Sequence, residues 1–114
     1  MAGCLFCRIV AGEIPARKVH EDANTVAFHD IDPKAPTHVL VIPKRHLPAF
    51  AALTSADGET LGHMAAAVNA VAAAAGVAAS GFRVVCNNGA DAGQTVDHLH
   101  WHVLGGRALG WPPG

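Results

Sequence analysis

The sequence predicts an α+β fold, a mainly antiparallel five-stranded sheet with one long helix and a short N-terminal helix. Three observations carry this. An alanine-rich segment with helical periodicity lies in the middle of the chain, β-branched apolar runs lie on both sides of it, and a hairpin signal precedes it. At 114 residues the chain suits one domain, residues 1–114, able to bury a core of its own.

The elements follow in order. Cys4 to Val10 reads as a short helix that Gly12 ends. Lys18 to Glu21 and Thr25 to His29 flank Asp22-Ala23-Asn24, whose residue types favour a turn, so the two runs pair as a hairpin. His38 to Ile42 is β-branched and apolar, and Pro43 ends it. The long helix spans roughly 56–75: Leu61, Met64, Ala65, Val68, Val71, Ala72 and Ala75 recur at steps of three and four and mark one apolar stripe. Thr54 or Ser55 can cap its start, and Gly76 suits the left-handed position past its end. Phe82 to Cys86 and His98 to Leu104 supply the last two strands, the latter followed by Gly105-Gly106.

Composition narrows the function classes. Half the residues (51%) are apolar and 15% charged, which excludes a disordered chain. A formal net charge of −1 offers no basic field for long nucleic acid, although a few local donors suffice for one nucleotide. No apolar run approaches the ~20 residues of a membrane span. The start, Met1-Ala2-Gly3-Cys4, lacks a basic then apolar leader, so the expected address is the cytoplasm. Three cysteines, an odd count, argue against a disulfide framework. In a reducing compartment the C-x-x-C pair Cys4 and Cys7, in a chain with eight histidines, reads first as metal chemistry.

The densest chemistry is His98-Leu99-His100-Trp101-His102. On a strand, His98, His100 and His102 share one face at steps of about 7 Å, while Leu99, Trp101 and Val103 face the helix. Such a line of imidazoles can ligate a metal, move protons, attack an electrophile or simply form a strand's wet side. Side chains spaced along one strand converge poorly on a single tetrahedral ion. Asn87-Asn88-Gly89 and Gly93-Gln94-Thr95 add amides, a hydroxyl and glycines that admit an anion to the backbone, which suggests a phosphate beside the imidazoles.

The run from Gln94 through Gly106 resembles the signature of the histidine triad (HIT) superfamily. Phe28-His29-Asp30-Ile31, Ala35-Pro36-Thr37-His38, Val41 to His46 and the ending Trp111-Pro112-Pro113-Gly114 resemble its Hint branch, so the likeness spans nearly the whole chain. It implies a HIT-like fold, a homodimer and a hydrolase that cleaves the P–N bond of purine nucleoside 5′-phosphoramidates. His100 is then the nucleophile that carries the nucleotidyl group, and His102 donates to a phosphate oxygen. Asp30 meets the ribose hydroxyls with Ile31 beside the base. Asn87, Gly93, Gln94 and Thr95 contact phosphate, and Trp111 reaches toward the other subunit's site. Thr95 stands where the branch often has serine; it or a neighbouring histidine, His98 or His102, assists the leaving amine. In bacterial-type relatives Cys4, Cys7, His46 and His98 would bind a structural Zn2+, which makes His98 structural and leaves the chemistry without a required cofactor. The resemblance also admits a dinucleoside polyphosphate hydrolase or nucleotidyl transferase, or a nucleotide-binding regulatory or scaffold protein.

Overall fold

The computed structural model describes residues 3–114; the Met1-Ala2 start lies outside the described residues. Helix α1 (Leu5–Val10) is followed by strands β1 (Lys18–Glu21), β2 (Thr25–His29) and β3 (Thr37–Pro43). Two short 3-10 turns (Phe50–Ala52 and Ser55–Asp57) lead into the long helix α2 (Gly58–Ala74), then β4 (Phe82–Val85) and β5 (Trp101–Gly105). The five strands form one antiparallel sheet in the order β1-β2-β3-β5-β4, the α+β class expected from the sequence.

The local signals behave as their chemistry dictates. Asp22 turns the β1–β2 hairpin, its Oδ1 accepting from the backbone N–H groups of Asn24 (2.8 Å) and Thr25 (2.9 Å). Thr54 opens the helical segment with a reciprocal capping box to Asp57. Gly76 follows α2 at φ +74°.

Alternation along β2 and β3 splits the core in two. Ala27, Val39 and Val41 face α2 and pack with Met64, Ala67, Val68 and Val71. Val26, Phe28, Leu40 and Ile42 point the other way, onto Phe6 and Ile9 of α1. On α2 the buried positions are Met64, Ala67, Val68, Val71 and Ala72, whereas Ala65 and Ala75 of the expected stripe are exposed. In a helix this rich in alanine, periodicity gives the axis well and the rotation poorly.

The last strand is shorter than expected. It starts at Trp101, which pairs with Val41, while His98, Leu99 and His100 precede it. One step further along β3 stand Ile42 and then Pro43, which has no N–H for a ladder. Leu99 N–H turns instead to the Leu47 carbonyl at 2.6 Å. The alternation survives this break: Leu99 and Val103 lie in the core under α2, with Trp101 packed against it. Gly106 closes β5 at φ +89°, where a Cβ would stand 2.9 Å from Pro36.

Candidate functional site

Four imidazoles meet at the junction of β3 and β5, and hydrogen bonds to backbone groups set the tautomer of three of them. His98 Nε2 lies 2.8 Å from the Pro43 carbonyl, and His100 Nδ1 lies 2.7 Å from the carbonyl of His98. A carbonyl only accepts, so both nitrogens carry protons, leaving lone pairs on His98 Nδ1 and His100 Nε2. The Lys34 N–H donates to His38 Nδ1 at 3.0 Å, so the proton of neutral His38 is on Nε2. That proton goes to His102 Nδ1 at 2.8 Å, which in turn places the His102 proton on Nε2. His100 and His102 stand with ring centres 5.2 Å apart, one offering a lone pair and the other an N–H.

Burial favours the neutral form of His38, His98 and His102. His102 is pushed down to about 4 by desolvation, with His100 and His38 beside it adding to the effect. His38 is lowered mainly by burial, against the opposing pull of Asp30, whose Oδ2 lies 3.4 Å from its Nε2. Asp30, His38 and His102 are close enough to suggest a cation site. With the Nδ1 of His38 already accepting from Lys34, the trio works as a hydrogen-bonded chain instead.

A second group gathers beneath α1. The donor atoms of Cys4, Cys7, His46 and His98 all lie within 4.8 Å of one another. Cys4 Sγ is 3.4 Å from His98 Nδ1, Cys7 Sγ is 3.2 Å from His46 Nδ1 and 3.5 Å from His98 Nδ1, and the two Nδ1 atoms are 3.2 Å apart. Bond lengths of ~2.3 Å to sulfur and ~2.05 Å to nitrogen in a tetrahedron give S–N edges of about 3.5 Å and N–N edges of about 3.3 Å. The set fits such an ion. It also explains why His98 is fully buried with its lone pair turned inward. Burial, and then Cys4 beside it, raises the Cys7 thiol.

An open cleft of about 910 Å³ runs beside these groups. Phe6, Ile9, Ile14, Phe28 and Leu40 form apolar walls, while Asp30, Ile31 and Thr95 stand among its lining residues. The sequence reading did not single out those apolar residues. Their signal, an apolar stripe on a short helix facing alternate strand positions, cannot be told from ordinary core. Ile31 is wholly exposed there. His100 lies behind Phe6, their ring centres 5.2 Å apart and nearly perpendicular.

The remaining expected residues do not line this cleft. Asn87 is half-buried just past β4. Gly93 and Gln94 spend their backbone N–H groups on Ala90 and Gly89, and the Gln94 side chain joins Gly89, Pro48 and Val96. Gln94 thus braces the loop leading to Thr95. Trp111 lies at the β4 edge over Arg83, whose Cζ is 5.9 Å from the ring centre.

A five-stranded antiparallel sheet presenting three alternating histidines, each with its tautomer fixed, beside an open cleft defines the class: a histidine-triad protein. The comparisons place it in a family. A model of the HIT domain matches residues 11–109, and the chain belongs to the HIT family. An uncharacterized HIT-like protein of Synechocystis is 51% identical over 110 residues, 96% of each chain. The crystal structure of a HIT family hydrolase from Legionella pneumophila superposes with TM-score 0.96 at 46% identity, covering 98% of this chain and 100% of that one. A histidine triad nucleotide-binding protein from Candida albicans gives TM-score 0.82 at 34% identity, covering 96% and 83%.

Proposed function

We propose that this chain is a Hint-type hydrolase that cleaves the P–N bond of purine nucleoside 5′-phosphoramidates, AMP-lysine or AMP-NH2 among them. The observation that carries the reading is the His100 tautomer: the bond to the His98 carbonyl puts the Nε2 lone pair forward as a nucleophile. The hydrolase description of the Legionella neighbour and the nucleotide-binding description of the Candida neighbour agree with it.

The nucleoside lies in the cleft, its base among the apolar side chains and its ribose at Asp30. Nε2 of His100 attacks phosphorus, the P–N bond to the amine breaks, and the charge that develops on the imidazolium is met by the His98 carbonyl. The Nε2–H of His102 faces the phosphoryl oxygens, where negative charge repels an incoming nucleophile, so its donation lowers the barrier. Asn87 and the Thr95 loop hold the phosphate from the other side. The departing amine takes its proton at the rim, where Thr95 is exposed. Water then cleaves the P–Nε2 bond, releasing the nucleoside monophosphate and restoring His100.

Cys4, Cys7, His46 and His98 would hold zinc, whose role when bound is to fix structure. A homodimer suits the surface: β4 is an edge strand with Val84 exposed, and α2 shows Ala66, Ala70 and Ala73 to solvent. In such a dimer Trp111, remote from its own cleft, can serve the partner's site.

The test is an adenosine phosphoramidate of a fluorescent amine. Release by the parent, with loss of release but retained AMP binding in His100→Asn, supports the reading. Equal release by the variant contradicts it.

A further inference from the structure

Helix α1 has an unusual attachment. Among the described residues, the hydrogen bonds that join residues 4–14 to the rest of the chain are the thiol–imidazole contacts of Cys4 and Cys7 with His46 and His98. The others stay inside the segment, such as Arg8 N–H to the Cys4 carbonyl and Glu13 N–H to the Arg8 carbonyl. A six-residue helix has no stability of its own in water, because nucleation costs more than so few turns return. Its apolar contacts through Phe6 and Ile9 are with Val26, Phe28, Leu40 and Ile42, of which Phe28 and Leu40 also line the cleft. The region matched by the family model begins at residue 11, so α1 and both thiols precede it.

Between the two cysteines sits Phe6, which is buried and makes edge contacts in three directions. Its ring centre lies 5.9 Å from His98, 5.2 Å from His100 and 5.5 Å from Phe28. One ring therefore touches a member of the cysteine–histidine cluster, the triad's middle histidine and the apolar wall of the cleft.

We propose that the Cys4–Cys7–His46–His98 cluster, loaded with zinc, is the clamp that holds α1 as the cleft's movable wall. The strength of nucleotide binding is then set by metal loading through the position of Phe6. This rests on the nucleotide-binding reading above and adds a control to it. With the metal gone, two thiols and two imidazoles retain weak mutual hydrogen bonds, α1 frays, and the cleft loses its Phe6 and Ile9 side. The sheet keeps its own ladder and its packing on α2, so the change is local.

The experiment uses the full chain, zinc-loaded and stripped with a chelator. AMP is titrated calorimetrically into each, and amide hydrogen exchange is followed in the same samples. We expect AMP affinity at least ten-fold weaker without zinc and faster exchange at Arg8 and Ala11, while β3 and β5 stay protected. The double variant Cys4→Ser/Cys7→Ser should behave like the stripped protein, the β3 and β5 amides reporting that it is folded. Phe6→Leu, loaded with zinc, should keep α1 protected yet bind AMP more weakly; parent-like binding contradicts the route through Phe6. Failure to take up zinc, or unchanged α1 exchange or unchanged AMP affinity on stripping, overturns the proposal. If the zinc-loaded parent binds no AMP, the nucleotide reading itself fails and exchange alone decides whether the clamp exists.

Discussion

The Nδ1 of His100 lies 2.7 Å from the carbonyl oxygen of His98, so the backbone of one triad histidine orients the ring of the next. Because the His98 ring is held by Pro43 and by the thiols, the carbonyl that aims His100 is rigid. The direction of the His100 ring is thus a property of the fold.

His38 should prove a positioning residue for His102. Removing its Nε2–H with His38→Phe leaves His102 free to place its proton on Nδ1, the wrong side for a phosphoryl oxygen. We expect kcat to fall by about ten-fold or more, with KM little changed, on the precedent that a wrong tautomer costs far more than a lost contact. His38→Gln, which can still donate through its amide, should recover part of the rate. Steady-state kinetics of both variants check this.

Stability should decline in mild acid. His102 titrates near 4 in the fold and His38 is also lowered, while in the unfolded chain both take up protons near 6.5. Below that value the unfolded state binds more protons, so stability is complete above about pH 7 and is lost as pH falls toward 4. The melting midpoint should drop by roughly 5–10 °C between pH 7 and pH 5. Scanning calorimetry of His102→Asn should show a weaker dependence.

Two glycines should separate sharply. Gly106 needs its positive φ and abuts Pro36, whereas Gly110 faces open space. Gly106→Ala should cost about 1–3 kcal/mol, and Gly110→Ala next to nothing. Chemical denaturation of both variants gives the comparison.

The proposed dimer predicts an effect at Val84, which is 43% exposed on the edge strand. Val84→Lys should shift the chain to a monomer in sedimentation analysis without unfolding it. A parent that is already monomeric at micromolar concentration contradicts the dimer.

What was legible in the sequence followed physical locality. Asp22-Ala23-Asn24, Thr54 and Gly76 act through bonds to near neighbours, and each stands where its chemistry requires. The histidine alternation foretold a shared face. It did not foretell that Pro43 would stop the ladder and leave His98 and His100 outside β5, because that depends on the strand opposite. Nor did it give the four tautomers, which are set by the carbonyls of Pro43 and His98 and the N–H of Lys34. The grouping of Cys4, Cys7, His46 and His98 came from the family resemblance, since no spacing rule joins residues 94 positions apart. Phe6, Ile9, Phe28 and Leu40 carried no separate signal because they are buried core residues and cleft lining at once.

The central claim is that His100 forms a bond to phosphorus. The most direct measurement is intact-mass analysis and peptide mapping of protein quenched milliseconds after mixing with an adenosine phosphoramidate. The account predicts a transient AMP adduct on the peptide containing His100, absent in His100→Asn. Full turnover with no adduct in the parent, or an adduct that persists in the variant, would contradict it.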